Sequence, residues 1–274
     1  MAGVIFIVSV GVLTFIFNLN RAETWLPLAA FVGAALVGLI DDSINIRGDG
    51  TGKAGLPSLL KLLLITLVAA VGGWYFYYKL GFNGMQLPGI HHTELLLGWL
   101  IVPLFTFVVV ATANAVNISD GLDGLAGGLT TIAFATYAII ATLEGKYGIA
   151  GFCTVLVGAL MSYTWFNVFP ARFFMGDVGS FALGTALGVV AMYTDTVLLL
   201  PIIGIVFVAE AGSVILQIAS KKLRHGKKIF LISPIHHHFE AVGWPEAKVT
   251  MRFWVIGQVA ALLGLALFVM GRYM

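Results

Sequence analysis

The chain has 274 residues, of which 10% are charged and 59% hydrophobic, with a mean hydropathy of +0.99. Soluble domains carry about 25% charged residues, so this composition excludes a soluble globular enzyme and a disordered chain, and a net charge of +2 excludes the electrostatic footprint of a nucleic-acid binder. The lone Cys153 excludes an internal disulfide framework and a Cys-based zinc site; its apolar surroundings (GFCTVLVGAL) make it a small buried side chain.

The hydropathy pattern predicts an all-α, polytopic transmembrane helix bundle. A helix needs about 20 apolar residues to cross a hydrocarbon core of ~30 Å. Nine segments approach this: 2–17, 25–40, 58–78, 95–113, 125–143, 148–165, 180–194, 197–219 and 252–271. Several are short or rich in Gly, which suits a tightly packed bundle, and the first lacks the basic n-region of a cleavable signal. The whole chain, 1–274, reads as one integral membrane domain.

Nine spans place the loops around 41–57, 114–124, 166–179 and 220–251 on one side. With span-edge residues counted, that side holds 11 of the 15 Lys and Arg and the other side 4. The positive-inside rule then makes the first side cytoplasmic, with the N-terminus cytoplasmic and the C-terminus outside. The opposite loops are short connectors except 80–94, where Asn83-Gly84 predicts a small hairpin. No internal repeat is evident, which weakens an inverted-repeat transporter reading.

Polar residues are rare enough to take in order. Asp41-Asp42 are expected to close the second span; carboxylates there face the negative end of the helix dipole and repel each other, so a cation nearby, metal or lysine, is expected. The stretch GDGTGKAG (48–55) fails as a P-loop, because Arg47 stands where the first glycine should be and Ala54 follows the lysine. In NAVNISDGLDGLAGG, Asn114, Asn117, Asp120 and Asp123 recur every third residue, a polar ridge if helical. Its amide and carboxylate oxygens suit Mg²⁺ or the donors of a nucleoside. In FNVFPARFFMGDVGS, Asp177 reads equally as the N-cap of the next span or as a metal ligand beside Phe173 and Phe174. Glu210 lies within an apolar span, with Ser213 and Gln217 on the same face. Last comes a basic loop with Lys221, Lys222, Arg224, Lys227 and Lys228, an anchor that also touches anionic lipid, followed by His236-His237-His238. Clustered carboxylates and amides on a cytoplasmic face, with a membrane bundle behind them, suggest transfer of a phospho-group onto a lipid carrier. A cation transporter, with Glu210 and the histidines forming a path, is the rival from another class; it should spread its charges through the bilayer, and here they cluster at one face with Glu210 the main exception.

LIDDSINIR, NAVNISDGLDGLAGG, FNVFPARFFMGDVGSFALG, EAGSVILQ and KKIFLISPIHHHFE, in that order, resemble the phospho-N-acetylmuramoyl-pentapeptide transferase family, part of the polyprenyl-phosphate N-acetylhexosamine-1-phosphate transferase superfamily. The resemblance implies a Mg²⁺-dependent enzyme of the bacterial cytoplasmic membrane with its active site on the cytoplasmic face. UDP-MurNAc-pentapeptide and undecaprenyl phosphate would give lipid I and UMP, a step of peptidoglycan synthesis. A homodimer is common in the family. The resemblance assigns catalytic roles to Asp41, Asp42 and Asp177, the first two acting on the lipid phosphate and Asp177 binding Mg²⁺ with Asn117 close to the metal. Asp120 and Asp123 would hold the nucleoside, Phe174 would stack on uracil, and Asn167, Gln217, His236 and His237 would line the same cleft. It leaves open whether an aspartate forms a covalent intermediate or the lipid phosphate attacks directly. A sister enzyme using UDP-GlcNAc or a related UDP-sugar is the alternative, against which PIHHHFE argues. The chain departs at its start: the family carries a further first helix and a loop with a lysine beside the diphosphate, so a truncated form is expected, with Lys53 the candidate replacement if the form is complete.

Overall fold

The computed structural model describes residues 2–18, 20–48, 55–86 and 94–273; Lys53 lies outside the described residues. Eleven helices and one short hairpin make up the described fold: α1 (Gly3–Phe17), α2 (Arg21–Arg47), α3 (Ser58–Tyr78), α4 (Ile101–Ser119), α5 (Leu125–Leu143), α6 (Tyr147–Asn167), α7 (Gly176–Tyr193), α8 (Leu200–Ile203), α9 (Ile205–Leu223), α10 (Ile235–Ala241) and α11 (Glu246–Tyr273). Seven of these, α2 to α7 and α11, are long and apolar enough to cross a membrane. The chain is therefore a multi-pass, all-helical membrane bundle. The other two expected spans fall short for visible reasons. Helix α1 has 15 residues. Gly204 breaks the eighth segment into α8 and α9, and α9 carries Glu210, Lys221 and Lys222.

Helix α7 is the axis of the bundle. Every residue from Val178 to Tyr193 is buried, and α2 and α4 are its chief neighbours. Small residues let the backbones meet. At Gly38 of α2, a Cβ would lie 2.5 Å from the Val178 nitrogen and closer still to the Asp177 carbonyl; at Gly184 of α7 it would lie 2.5 Å from the Thr112 carbonyl oxygen of α4. These two contacts bring α2, α4 and α7 together, and most of the rare polar residues sit at the end of the bundle where α7 begins.

Two local expectations change. Strands β1 (Gly84–Gln86) and β2 (Glu94–Leu96) do form an antiparallel hairpin, but Asn83-Gly84 opens β1 instead of forming the turn; the Asn83 carbonyl accepts the N–H groups of Leu97 and Gly98 at the hairpin base. The helical ridge ends early as well. Helix α4 stops at Ser119, so Asn114 and Asn117 are helical, Asp120 caps the helix end, and Asp123 lies in the turn before α5.

Candidate active site

Four helices supply one polar centre. Asp41 and Asp42 come from α2, Lys61 from the first turn of α3, Asn117 from the last turn of α4, and Asp177 from the first turn of α7. Oxygens of Asp41, Asp42 and Asp177 lie within 4.8 Å of one another. The Lys61 ammonium bridges two of them, 3.2 Å from Asp41 Oδ2 and 3.1 Å from Asp177 Oδ2. Asn117 Nδ2 donates to Asp177 Oδ1 at 2.9 Å and to Ser180 Oγ at 2.9 Å.

The expected cation beside the Asp-Asp pair is thus present, as Lys61. Asp41-Asp42 do not sit at the negative end of the α2 dipole. Helix α2 continues to Arg47, so the pair does not close it. Asp42 instead meets the positive end of α7, accepting the Asp177 and Val178 N–H groups at 3.3 Å each. That contact takes the capping place considered for Asp177, which lies inside the first turn. The pair also divides by environment. Asp41 is 1% exposed and both its oxygens are engaged: Oδ1 accepts the Leu56 N–H at 2.6 Å, and Oδ2 accepts Asn45 Nδ2 and Lys61. Asp42 and Asp177 are only partly buried.

The donor set fits Mg²⁺. The ion takes hard oxygens, usually one or two carboxylates with substrate phosphates completing the shell. Asp42 and Asp177 offer carboxylate oxygens on the open side, and the Asn117 side-chain amide stands beside Asp177. Lys61 already occupies a point between two carboxylates where positive charge is favoured.

Next to this centre, the turn 120–124 is held from three directions. Asp123 N–H donates to Glu246 Oε1 at 2.7 Å, and Asp123 Oδ2 accepts the Ala171 N–H at 2.9 Å. Asn167 is buried, accepts the Gly124 N–H at 3.0 Å and donates to the Phe173 carbonyl at 2.7 Å. Trp254 Nε1 donates to the Gly124 carbonyl, and Gly124 supplies the φ of +76° the turn requires. Asp123 and Asn167 therefore join the two polar loops. Asp120 is half-buried, and desolvation, with Asp177 and Asp42 adding like charge, pushes its carboxyl up to about 7.

The histidine run lies close by. His236 is fully buried; its Nδ1 lies 2.8 Å from Glu210 Oε2, and its ring fills the space a side chain at Gly121 would need. Glu210 is thereby paired with a histidine from outside its span. Ser213 Oγ bonds the Glu210 carbonyl, a local structural contact. His237 Nδ1 lies 2.6 Å from Glu240, and His238 Nδ1 accepts the Leu231 N–H. Gln217 is buried with its amide fully used: Oε1 accepts the Ile229 and Phe230 N–H groups, and Nε2 donates to the Phe230 carbonyl. Phe174 stays 63% exposed, available as a stacking face.

Sequence reasoning passed over Lys61, Glu246 and Trp254. For Lys61 a signal existed: it is the one charged residue in the apolar run SLLKLLLITLVAAVGGWYFYY, and such residues mark sites by default. An apolar groove of about 1260 Å³ lies between α3, α4 and α9, lined by Thr66, Val110, Asn114, Ile118, Ile215 and Ile218 among others.

The chain matches the family described as glycosyl transferase family 4 over residues 24–195. It is 42% identical over 267 residues to the phospho-N-acetylmuramoyl-pentapeptide-transferase of Clostridium novyi, covering 96% of this chain and 81% of the relative. The Syntrophus aciditrophicus protein of that name is 41% identical over 284 residues (97% and 78% covered), and that of Geobacillus thermodenitrificans 42% over 250 residues (91% and 76%).

Proposed function

We propose, starting from the fact that the chain belongs to the phospho-N-acetylmuramoyl-pentapeptide-transferase family, that it moves phospho-MurNAc-pentapeptide from UDP to undecaprenyl phosphate, releasing UMP. The observation that carries this reading is the Asp41–Asp42–Asp177 cluster with Lys61 between its members at the start of α7. An oxygen of the lipid phosphate attacks the sugar-bearing phosphorus. The new P–O bond forms as the bridge to UMP breaks, so one diphosphate ester replaces another.

Roles follow from environment. Asp41 is the positioning residue, since its oxygens already hold Leu56, Asn45 and Lys61. Asp42, anchored on the α7 N-terminus yet open to the cleft, takes any proton from the incoming lipid phosphate. Asp177 and Asn117 hold Mg²⁺, which when bound neutralises the diphosphate oxyanions. Lys61 pairs with Asp41 and Asp177 and presents positive charge to the same oxyanions. Asp120 and Asp123 meet the nucleoside, Phe174 stacks on uracil, and His237 lines the far wall, with the buried His236–Glu210 pair packed behind it. Asn167 and Gln217 act as braces, because their amides are spent on loop backbone. The groove between α3, α4 and α9 takes the start of the lipid tail.

The whole chain acts as one transferase domain, and counting α1 and the broken α8–α9 segment with the seven long helices gives nine spans. The 11-to-4 sorting of basic residues supports a cytoplasmic N-terminus, an external C-terminus and an active site on the cytoplasmic face. Purified protein with Mg²⁺ and undecaprenyl phosphate is expected to release UMP from UDP-MurNAc-pentapeptide and not from UDP-GlcNAc, with the activity lost in EDTA and restored by Mg²⁺. The reverse donor preference would identify the sister enzyme instead.

A further inference from the structure

Between Glu210 and Glu240 the chain has no acidic residue, yet Lys221, Lys222, Arg224, Lys227 and Lys228 all fall there. All five are exposed, and among the described residues none stands within ion-pair distance of a carboxylate. The same segment exposes large apolar side chains: Leu223 is 80% exposed, and Ile229, Leu231 and Ile232 are each about half exposed.

Its backbone, in contrast, is bonded inward. Gln217 holds Ile229 and Phe230, Ser220 Oγ donates to the Lys227 carbonyl, the Gly226 N–H donates to the Lys221 carbonyl, and the Leu231 N–H donates to His238. A water-exposed loop has no need of so many internal partners. A segment entering a membrane interface does, because unpaired backbone groups are costly there. Greasy side chains outward, cations between them and a satisfied backbone make a foot that rests in the headgroup layer.

The foot continues a lipid-facing surface. Val214, Ile215 and Ile218 of α9 line the apolar groove, and Lys221 and Lys222 follow Ile218 by three and four residues, on the same helix face. A lipid whose tail lies along this face therefore meets two lysines at the end of the apolar stretch. A terminal phosphate monoester carries nearly two negative charges at neutral pH, as a phosphorylated side chain does, against one for a phospholipid diester.

Resting on the function proposed above, we propose that this foot, residues 221–232, captures the phosphate monoester headgroup of the polyprenyl phosphate acceptor from the bilayer before it reaches the carboxylate centre. Capture works on acceptor concentration and orientation, so it governs the KM for the lipid and leaves the chemical step alone.

The test compares wild type with the quadruple variant Lys221→Gln, Lys222→Gln, Lys227→Gln, Lys228→Gln in nanodiscs of neutral phosphatidylcholine, with undecaprenyl phosphate as acceptor. Lys79→Gln, on the opposite side, is the control. The KM for the lipid should rise on the order of tenfold in the quadruple variant, with kcat and the KM for the nucleotide unchanged. Direct binding of undecaprenyl phosphate by the detergent-purified protein should weaken in parallel; this readout needs no turnover, so it stands even if the donor assigned above is wrong. Unchanged KM and unchanged binding would overturn the proposal. So would a defect confined to nanodiscs containing phosphatidylglycerol, since the foot would then serve bulk anionic phospholipid, and so would a loss of kcat with KM intact.

Discussion

Gly38→Ala tests the architecture without deleting any functional group. The added Cβ would stand 2.5 Å from the Val178 nitrogen and nearer still to the Asp177 carbonyl, so α2 and α7 must separate by roughly 1 Å to restore van der Waals contact. Asp42 lies one turn beyond Gly38 on the same face, and its two bonds to the start of α7 are already 3.3 Å long. A shift of that size takes them beyond hydrogen-bonding range. Alanine gains up to about 1 kcal/mol of helix propensity over glycine, whereas overpacking costs about 1–3 kcal/mol, so the net loss of about 0–2 kcal/mol leaves a folded protein. Catalysis is less tolerant, because a 1 Å misplacement can cost about 100-fold. We therefore expect kcat for UMP release to fall about 100-fold while Tm moves by only a few degrees. Gly212→Ala is the matched control, since a Cβ there meets nothing within 4 Å. Wild-type turnover by a folded Gly38→Ala protein would refute the claim that the α2–α7 contact sets the carboxylate geometry.

Asp177→Ala should abolish turnover in a folded, membrane-inserted protein and remove the rise in Tm that Mg²⁺ gives the wild type; retained activity would disprove its role. Gln217→Leu leaves the Ile229 and Phe230 backbone groups unpaired at a cost of about 1–3 kcal/mol, so trypsin should cut faster after Lys227 and Lys228, and unchanged digestion would count against its bracing role. In metal-free protein the carboxyl of Asp120 is raised to about 7, so the folded state holds a proton that the unfolded chain releases near pH 4. Stability should fall as pH rises from about 4 to about 7, and Asp120→Asn should flatten that slope of Tm against pH; an identical slope in the variant would rule Asp120 out as its source.

The bundle was legible because hydropathy alone reports which segments avoid water. The motifs were legible because charge is so scarce that each Asp, Asn or His must have a reason to be there. What could not be read was partnership. Lys61 stands 20 residues from Asp41 and 116 from Asp177, and only the packing of α3 against α2 and α4, with α2 and α4 both on α7, closes those separations. The extent of α2 is not legible because Asp41-Asp42 resembles a span's polar border, whereas Lys61 and the α7 N-terminus let the helix carry both carboxylates onward to Arg47. Gln217 and Asn167 look like ligand-facing amides in a sequence; in the fold their donors and acceptors are taken up by loop backbone. The exposure of Phe174 was not legible either, since only the fold shows that its ring stays open while Met175 beside it is buried.

The electrostatics of the centre explain why so much packing converges on it. Three carboxylates within 4.8 Å repel strongly. Lys61 and the α7 N-terminus, worth roughly half a positive charge, offset about half of that and leave a residue of roughly −1.5. This imbalance is too negative to accept a phosphate from either substrate directly, and it is close to what one divalent cation neutralises. The protein thus builds a site that attracts the metal before it tolerates the diphosphate. Only rigid helix contacts, with Gly38 at α2–α7 and Gly184 at α4–α7, can hold like charges together while that place is kept. Lys61 then has two distinct roles: it makes the buried Asp41 affordable, and it limits the residual charge to what a single Mg²⁺ can balance.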